Sequence, residues 1–198
     1  MAVEKTYSTI GLKNFVMAEL IKDEEGEEGL EYGEVFKVVG AVEATITPSS
    51  SDADVQYADD VEFDRVDPDP DLTLKMKMVD IPMDIQGKIF ASTVDNNGVV
   101  VRKAGDKKVY FACGFKSEKS DGTYRYVWLL KCIAKPVTEN YATKEGTSIT
   151  RQNVEVEFSA MKRAHDGLYQ LIADEGVNGF TTQMGATFLN SVYSPVIS

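Results

Sequence analysis

Three stretches of this 198-residue chain alternate apolar and polar residues with a period of two. In FKVVGAVEATI the even positions Phe36, Val38, Val42, Ala44 and Ile46 are apolar, and Glu43, Thr45 and Thr47 take the other face. LTLKMKM sets Leu72, Leu74, Met76 and Met78 against Thr73, Lys75 and Lys77. NVEVEFSA sets Val154, Val156, Phe158 and Ala160 against Glu155, Glu157 and Ser159. Successive side chains of a strand point to opposite faces, so this pattern predicts antiparallel strands with one face buried. Helical spacing is confined to two places. In DIPMDIQGKIF, Ile81, Ile85 and Ile89 recur every fourth residue, Asp80 can cap and Pro82 suits a first turn. These three isoleucines should dock one helix on the sheet. TTQMGATFLNSVY spaces Met184, Phe188, Leu189, Val192 and Tyr193 for a short helix near the C-terminus.

The stretch GFKSEKSDGTYRYVWLLKC holds a hairpin signal at Asp121-Gly122, because glycine accepts the positive φ such turns need. A two-residue loop pairs Lys119 with Tyr124, Ser117 with Tyr126, Phe115 with Trp128 and Cys113 with Leu130. That register collects Phe115, Tyr124, Tyr126 and Trp128 on one face with both cysteines. A three-residue loop sets Tyr124 against Glu118 and scatters the apolar set, so a single buried face favours the first register. The aromatic face is expected to be core packing. Cys113 and Cys132 become diagonal neighbours about 7–8 Å apart, which predicts two free buried thiols.

Two segments read as exposed. KDEEGEEGLEYG is a charged hairpin tip. TPSSSDADVQYADDVEFDRVDPDPD, residues 47–71, is a long Asp-, Ser- and Pro-rich loop with a short strand around Val55 and Tyr57. A loop of this length in a compact β domain is usually functional or disordered. No repeat or linker divides the chain, so residues 1–198 read as one domain with exposed terminal arms.

Composition narrows the function. The net charge of −11 argues against nonspecific phosphate binding, which needs a basic footprint. No apolar run has membrane-spanning length, so no membrane partner is expected. The N-terminus carries acidic and polar residues where a signal peptide needs a basic start and an apolar block, which predicts a chain made and kept in a cytoplasm. Two cysteines and the lone His165 do not make a zinc site or a triad. SDAD and DPDPD lack the glycine and spaced Glu of a calcium loop. No nucleotide, nucleophile-elbow or metalloprotease motif occurs. No enzyme, cofactor or metal is expected.

Several blocks together resemble the major tail protein family of long-tailed, non-contractile bacteriophages and prophages. They are GLKNFVMAEL, YGEVFKVVGAVEATITPSSSDADVQYADD, LTLKMKMVDIPMDIQGKIFA, VDNNGVVV, YFACGFKSEKSDGTYRYVWLLKCIAKPVTENYATK and SITRQNVEVEFSAMKRAHDGLY. The resemblance implies a mainly β tail-tube fold of two packed antiparallel sheets with a flanking helix. It also implies a structural protein of the virion, assembled in the bacterial cytoplasm. Subunits would form hexameric rings that stack into a tube around the tape-measure protein. The tube would meet terminator and distal tail proteins and later conduct DNA without binding it specifically. Within this picture Val55, Gln56, Tyr57, Asp59 and Asp60 are the expected contacts to the adjacent ring or subunit. Two other readings remain at this stage. One is the tube of a tailocin or secretion-like system. The other is a non-phage β-sandwich binding module, which would need Trp128 exposed.

Overall fold

The alternating segments form strands, and every strand pair is antiparallel. The structure is a computed structural model that describes residues 6–26, 28–49, 54–58, 61–66, 71–103, 105, 107–137 and 153–195. Among these the order is β1 (Thr9–Asp23), β2 (Leu30–Tyr32), β3 (Phe36–Lys37), β4 (Ala41–Ser49), β5 (Asp54–Ala58), β6 (Val61–Val66) and β7 (Asp71–Met78). Helix α1 (Met83–Ile89) follows, then β8 (Thr93–Val94), β9 (Val100–Val101), β10 (Tyr110–Lys119), β11 (Tyr124–Ala134), β12 (Val154–Ala160), β13 (Gln170–Asp174) and α2 (Thr182–Thr187).

Nine strands make one sheet along the path β2-β1-β10-β11-β12-β7-β4, with β3 also on β1 and β13 also on β11. The sheet curls until its two ends meet. Strand β3 is bonded to β1, and its chain runs on through Gly40, at φ 95°, into β4. Val38 N–H donates to Phe15 O at 3.0 Å, Val79 N–H donates to Gly40 O at 2.9 Å, and β4 lies in contact with β1. The enclosed face holds the main core: Phe15 and Met17 from β1, Leu74 and Met76 from β7, Phe111 from β10 and Phe158 from β12, among others. The protein is thus mainly β, and the two facing layers are walls of one curled sheet. Loss of apolar surface to water is what holds them together.

Helix α1 closes this core. Ile81, Ile85 and Ile89 are all buried in it. The helix itself starts at Met83 with Pro82 as its N-cap. Asp80 instead accepts from the Ile81 N–H at 2.8 Å, ahead of the first turn. Gly87 is a poor helix former, but a Cβ there would sit 2.8 Å from Val94 Cγ2. It is the residue that lets β8 lie against the helix.

A second core forms on the outer side of β1, β10 and β11. Val16, Ala112, Tyr126, Trp128 and Leu130 pack there against Phe188 and Leu189, which follow α2. Thr181 caps α2 by accepting from the Met184 N–H at 3.2 Å. The consecutive burial of Phe15–Ala18 and of Tyr126–Leu130 records this covering of both faces. One alternation fails. A bulge between Ala41 and Glu43 leaves Val42 half-exposed and turns Ala41 inward in its place, while Ala44 and Ile46 face the core as expected.

Candidate assembly surfaces

The segment 47–71 is a β-hairpin for much of its length rather than a loop. Strand β4 runs to Ser49 and β7 begins at Asp71, where the two residues pair. Five residues farther along each arm, Asp54 pairs with Val66, so β5 and β6 resume the same register. Val55 then lies opposite Arg65, Gln56 opposite Asp64 and Tyr57 opposite Glu62, with a bulge between Gln56 and Tyr57. Asp59 and Asp60, and most of SDAD and DPDPD, lie outside the described residues. Tyr57 is 68% exposed, Val61 65% and Phe63 77%. Among the described residues, β5 and β6 have no substantial contact with another element apart from each other. Three large apolar side chains are thus exposed on one hairpin.

The aromatic hairpin has the three-residue loop, not the two-residue one. Glu118 pairs with Tyr124, Lys119 N–H donates to Thr123 O at 2.8 Å, and Gly122 sits at φ 84°. Phe115 consequently faces Val127, and Trp128 faces Gly114. The expected single aromatic face does not exist. Phe115 points into the curled sheet, while Tyr126 and Trp128 point the other way, toward α2. The register rule assumed one buried face, and this strand pair has two. The run YVWLL, apolar at every position, was the signal for it.

Each ring in the hairpin is tied down. The Trp128 ring lies where a Cβ on Gly114 would be only 2.7 Å away, and its Nε1–H donates to Phe188 O at 3.0 Å. Tyr126 O–H donates to Glu175 Oε1 at 2.8 Å, and its ring packs on Phe180 and Phe188. Burial, with the Glu175 carboxylate beside it, pushes the Tyr126 hydroxyl far above its ordinary value. Tyr124 is half-buried under the Lys116 ammonium, 4.1 Å from the ring centroid. These residues hold the subunit together. Trp128 has no exposed surface, which removes the premise of a tryptophan-based binding module.

Two ionic clasps fix the outer core. Asp174 accepts from Lys119 and from Gly176 N–H at 3.0 Å, and from Arg125 at 2.9 Å. Burial alone would raise the Asp174 carboxyl, but these donors hold it below the usual carboxylate range. Asp23, at the end of β1, accepts from Lys131 Nζ at 2.6 Å and from the N–H groups of Ala164 and His165 at 3.0 Å. Burial opposes ionisation there too, and the backbone and lysine donors again prevail. His165 thus lies in a turn, closed by Gly167 N–H donating to Arg163 O, and contributes its backbone. Beside it Arg163 is buried, pairs with Asp166 and donates to Tyr32 O–H at 3.2 Å.

Beside α1 lies a cavity of about 240 Å³, with Ile89, Val109 and Ile133 in its wall and Arg102, Lys107 and Lys108 around it. Arg102 lies 5.3 Å from the centroid of the Phe90 ring. Ser92 also lines the cavity, and its Oγ is buried without a hydrogen-bond partner among the described residues.

Among the described residues no three His, Cys, Asp or Glu side chains gather where they could hold a metal ion. Cys113 and Cys132 are free and buried, and burial pushes the Cys113 thiol well up. That is the opposite of an activated nucleophile. The described residues thus present an exposed hairpin, packed aromatic rings and a basic cavity. Two comparisons bear on them. The family model for phage tail tube proteins matches residues 8–194. Among curated proteins, none matches the chain.

Proposed function

Because the chain belongs to the phage tail tube protein family, whose members are structural subunits of the virion tail, we propose that it polymerises as stacked hexameric rings that form the tail tube. The tube surrounds the tape-measure protein during assembly, meets terminator and distal tail proteins at its ends, and later conducts the genome into the host. Strands from adjacent subunits line the lumen as one continuous barrel, which removes their open edges. The excess of acidic residues gives a lumen that DNA passes without adhering, since retention would need basic side chains.

The observation that carries this reading is the outer hairpin β5–β6, with Tyr57, Val61 and Phe63 exposed and, among the described residues, no other element of its own subunit substantially packed on it. Val55, Gln56, Tyr57, Asp59 and Asp60 are the contacts to the adjacent ring. Phe115 with Ile81, Ile85 and Ile89 in the main core, and Tyr124, Tyr126 and Trp128 in the outer core, act within the subunit. The test is to replace residues 50–70 with Asn-Gly, which joins the paired Ser49 and Asp71 through a two-residue turn. The expected product is a folded monomer with native Trp128 emission that forms no tubes. Normal tubes from this protein would refute the assignment of the hairpin.

A further inference from the structure

The cavity beside α1 gathers cationic side chains, Lys107 and Lys108 among them, in a chain whose net charge is −11. Its wall is apolar at Ile89 and Val109, and at about 240 Å³ it suits one ring rather than a drug-sized ligand. The buried, unpartnered Oγ of Ser92 adds a polar atom that an incoming group can satisfy. The outer hairpin is its chemical counterpart. Strands β5 and β6 expose the aromatic rings of Tyr57 and Phe63, and carry Asp54, Glu62 and Asp64 against the single Arg65.

Resting on the reading that this hairpin joins rings, we propose that the cavity beside α1 is the receptor for the hairpin of a second copy of this chain. One aromatic ring enters the apolar floor, and the flanking carboxylates meet the lysines at the rim. Among the described residues the hairpin packs substantially on no other element of its own subunit, so no described element competes with a neighbour for it. Hairpin and cavity are different surfaces, so the contact is heterologous. It repeats head to tail and builds an open-ended stack, which a self-complementary patch could not do. The local charge match also answers a problem of composition. Two acidic subunits repel each other overall, and opposite patches at the contact both orient the approach and overcome the repulsion.

Cysteine crosslinking of the full-length protein tests the contact. The two native thiols are buried and leave the surface clear. Under mild oxidation, a chain carrying Tyr57→Cys and Lys107→Cys should give a ladder of covalent multimers. A chain carrying Tyr57→Cys and Ile172→Cys, on β13, should give none. In parallel, Lys107→Glu with Lys108→Glu should reduce tubes at least tenfold, as should Glu62→Lys with Asp64→Lys. The four changes together should restore them, with Trp128 emission native throughout. If the hairpin reversal blocks assembly while the lysine reversal does not, and the Tyr57–Lys107 ladder is missing, the receptor proposal fails and the ring-joining role survives. Normal tubes from both reversals and from the hairpin replacement overturn both. Loss of duplex-DNA retention in the lysine variant, with tubes unaffected, assigns the cavity to nucleic acid and also overturns the proposal.

Discussion

Gly114→Ala places one methyl group against the face of Trp128. The new Cβ would crowd three positions on that ring, Cε3 and Cζ3 at 2.7 Å and Cδ2 at 2.8 Å. No real Cβ contact is that short, so something must move. The ring has nowhere free to go: it has no exposed surface, and its Nε1–H is bonded to Phe188 O at 3.0 Å. Overpacking of this kind costs about 1–3 kcal/mol. If the ring retreats, the indole hydrogen bond stretches and up to about 1 kcal/mol more is lost. The sum is about 1–4 kcal/mol, which for a chain of this size lowers Tm by roughly 2–16 °C. Trp128 is the only tryptophan, so urea unfolding followed by its emission reads stability and local environment at once. Trp128→Phe in the same chain, its unfolding followed by far-UV circular dichroism, should recover part of the loss, because a phenyl ring leaves room for the methyl. The experiment also tests the strand register, since only the three-residue loop sets Gly114 opposite Trp128. A Gly114→Ala protein within about 0.5 kcal/mol of wild type, with unchanged emission, would refute the packing described for this hairpin.

Other expectations follow from the same contacts. Asp174→Asn removes the counter-charge of the buried Lys119 and should cost about 2–3 kcal/mol in urea unfolding, below the range for fully buried pairs because Arg125 stays half-solvated. Its carboxyl and that of Asp23 are held below the usual range, so their stabilisation is complete above the unfolded value near pH ~4 and is lost as pH falls through the folded values. Wild-type stability should therefore drop steeply below about pH 4, and Asp174→Asn should flatten that limb; an unchanged slope would show that the clasp does not carry it. Phe158→Ala empties a fully buried site in the main core and should cost about 3–5 kcal/mol without altering the Trp128 environment, which lies on the other face. Reversing several lumenal carboxylates to lysine should leave tubes intact and slow DNA ejection, and an equal ejection rate would count against the electrostatic role.

Much of the fold was legible in the sequence where one face is buried and the other wet. LTLKMKM and NVEVEFSA pair in the structure as Leu72 opposite Ala160 through Met78 opposite Val154, with their lysines and glutamates aligned outside. The isoleucine spacing of α1 was equally readable, because a short helix buries one stripe. The signal failed where both faces are covered. Period-two logic has nothing to choose between when Tyr126 to Leu130 are all buried, and it selected the wrong loop length. It failed again at Val42, because a bulge is a local choice that no alternation announces. The outer hairpin was half legible. Val55 and Tyr57 suggested a strand, but the Asp- and Pro-rich flanks disguised its partner β6. The basic cavity was invisible in sequence. Ser92, Lys107 and Ile133 meet only because the sheet curls and α1 closes its end.

Cryo-electron microscopy of the concentrated purified protein tests the central claim most directly. The account predicts stacked hexameric rings around an open channel, with the hairpin carrying Tyr57 and Phe63 bridging one ring to the next. Closed dimers, solid fibrils without a channel, or rings joined through other surfaces while this hairpin points free into solvent would contradict it.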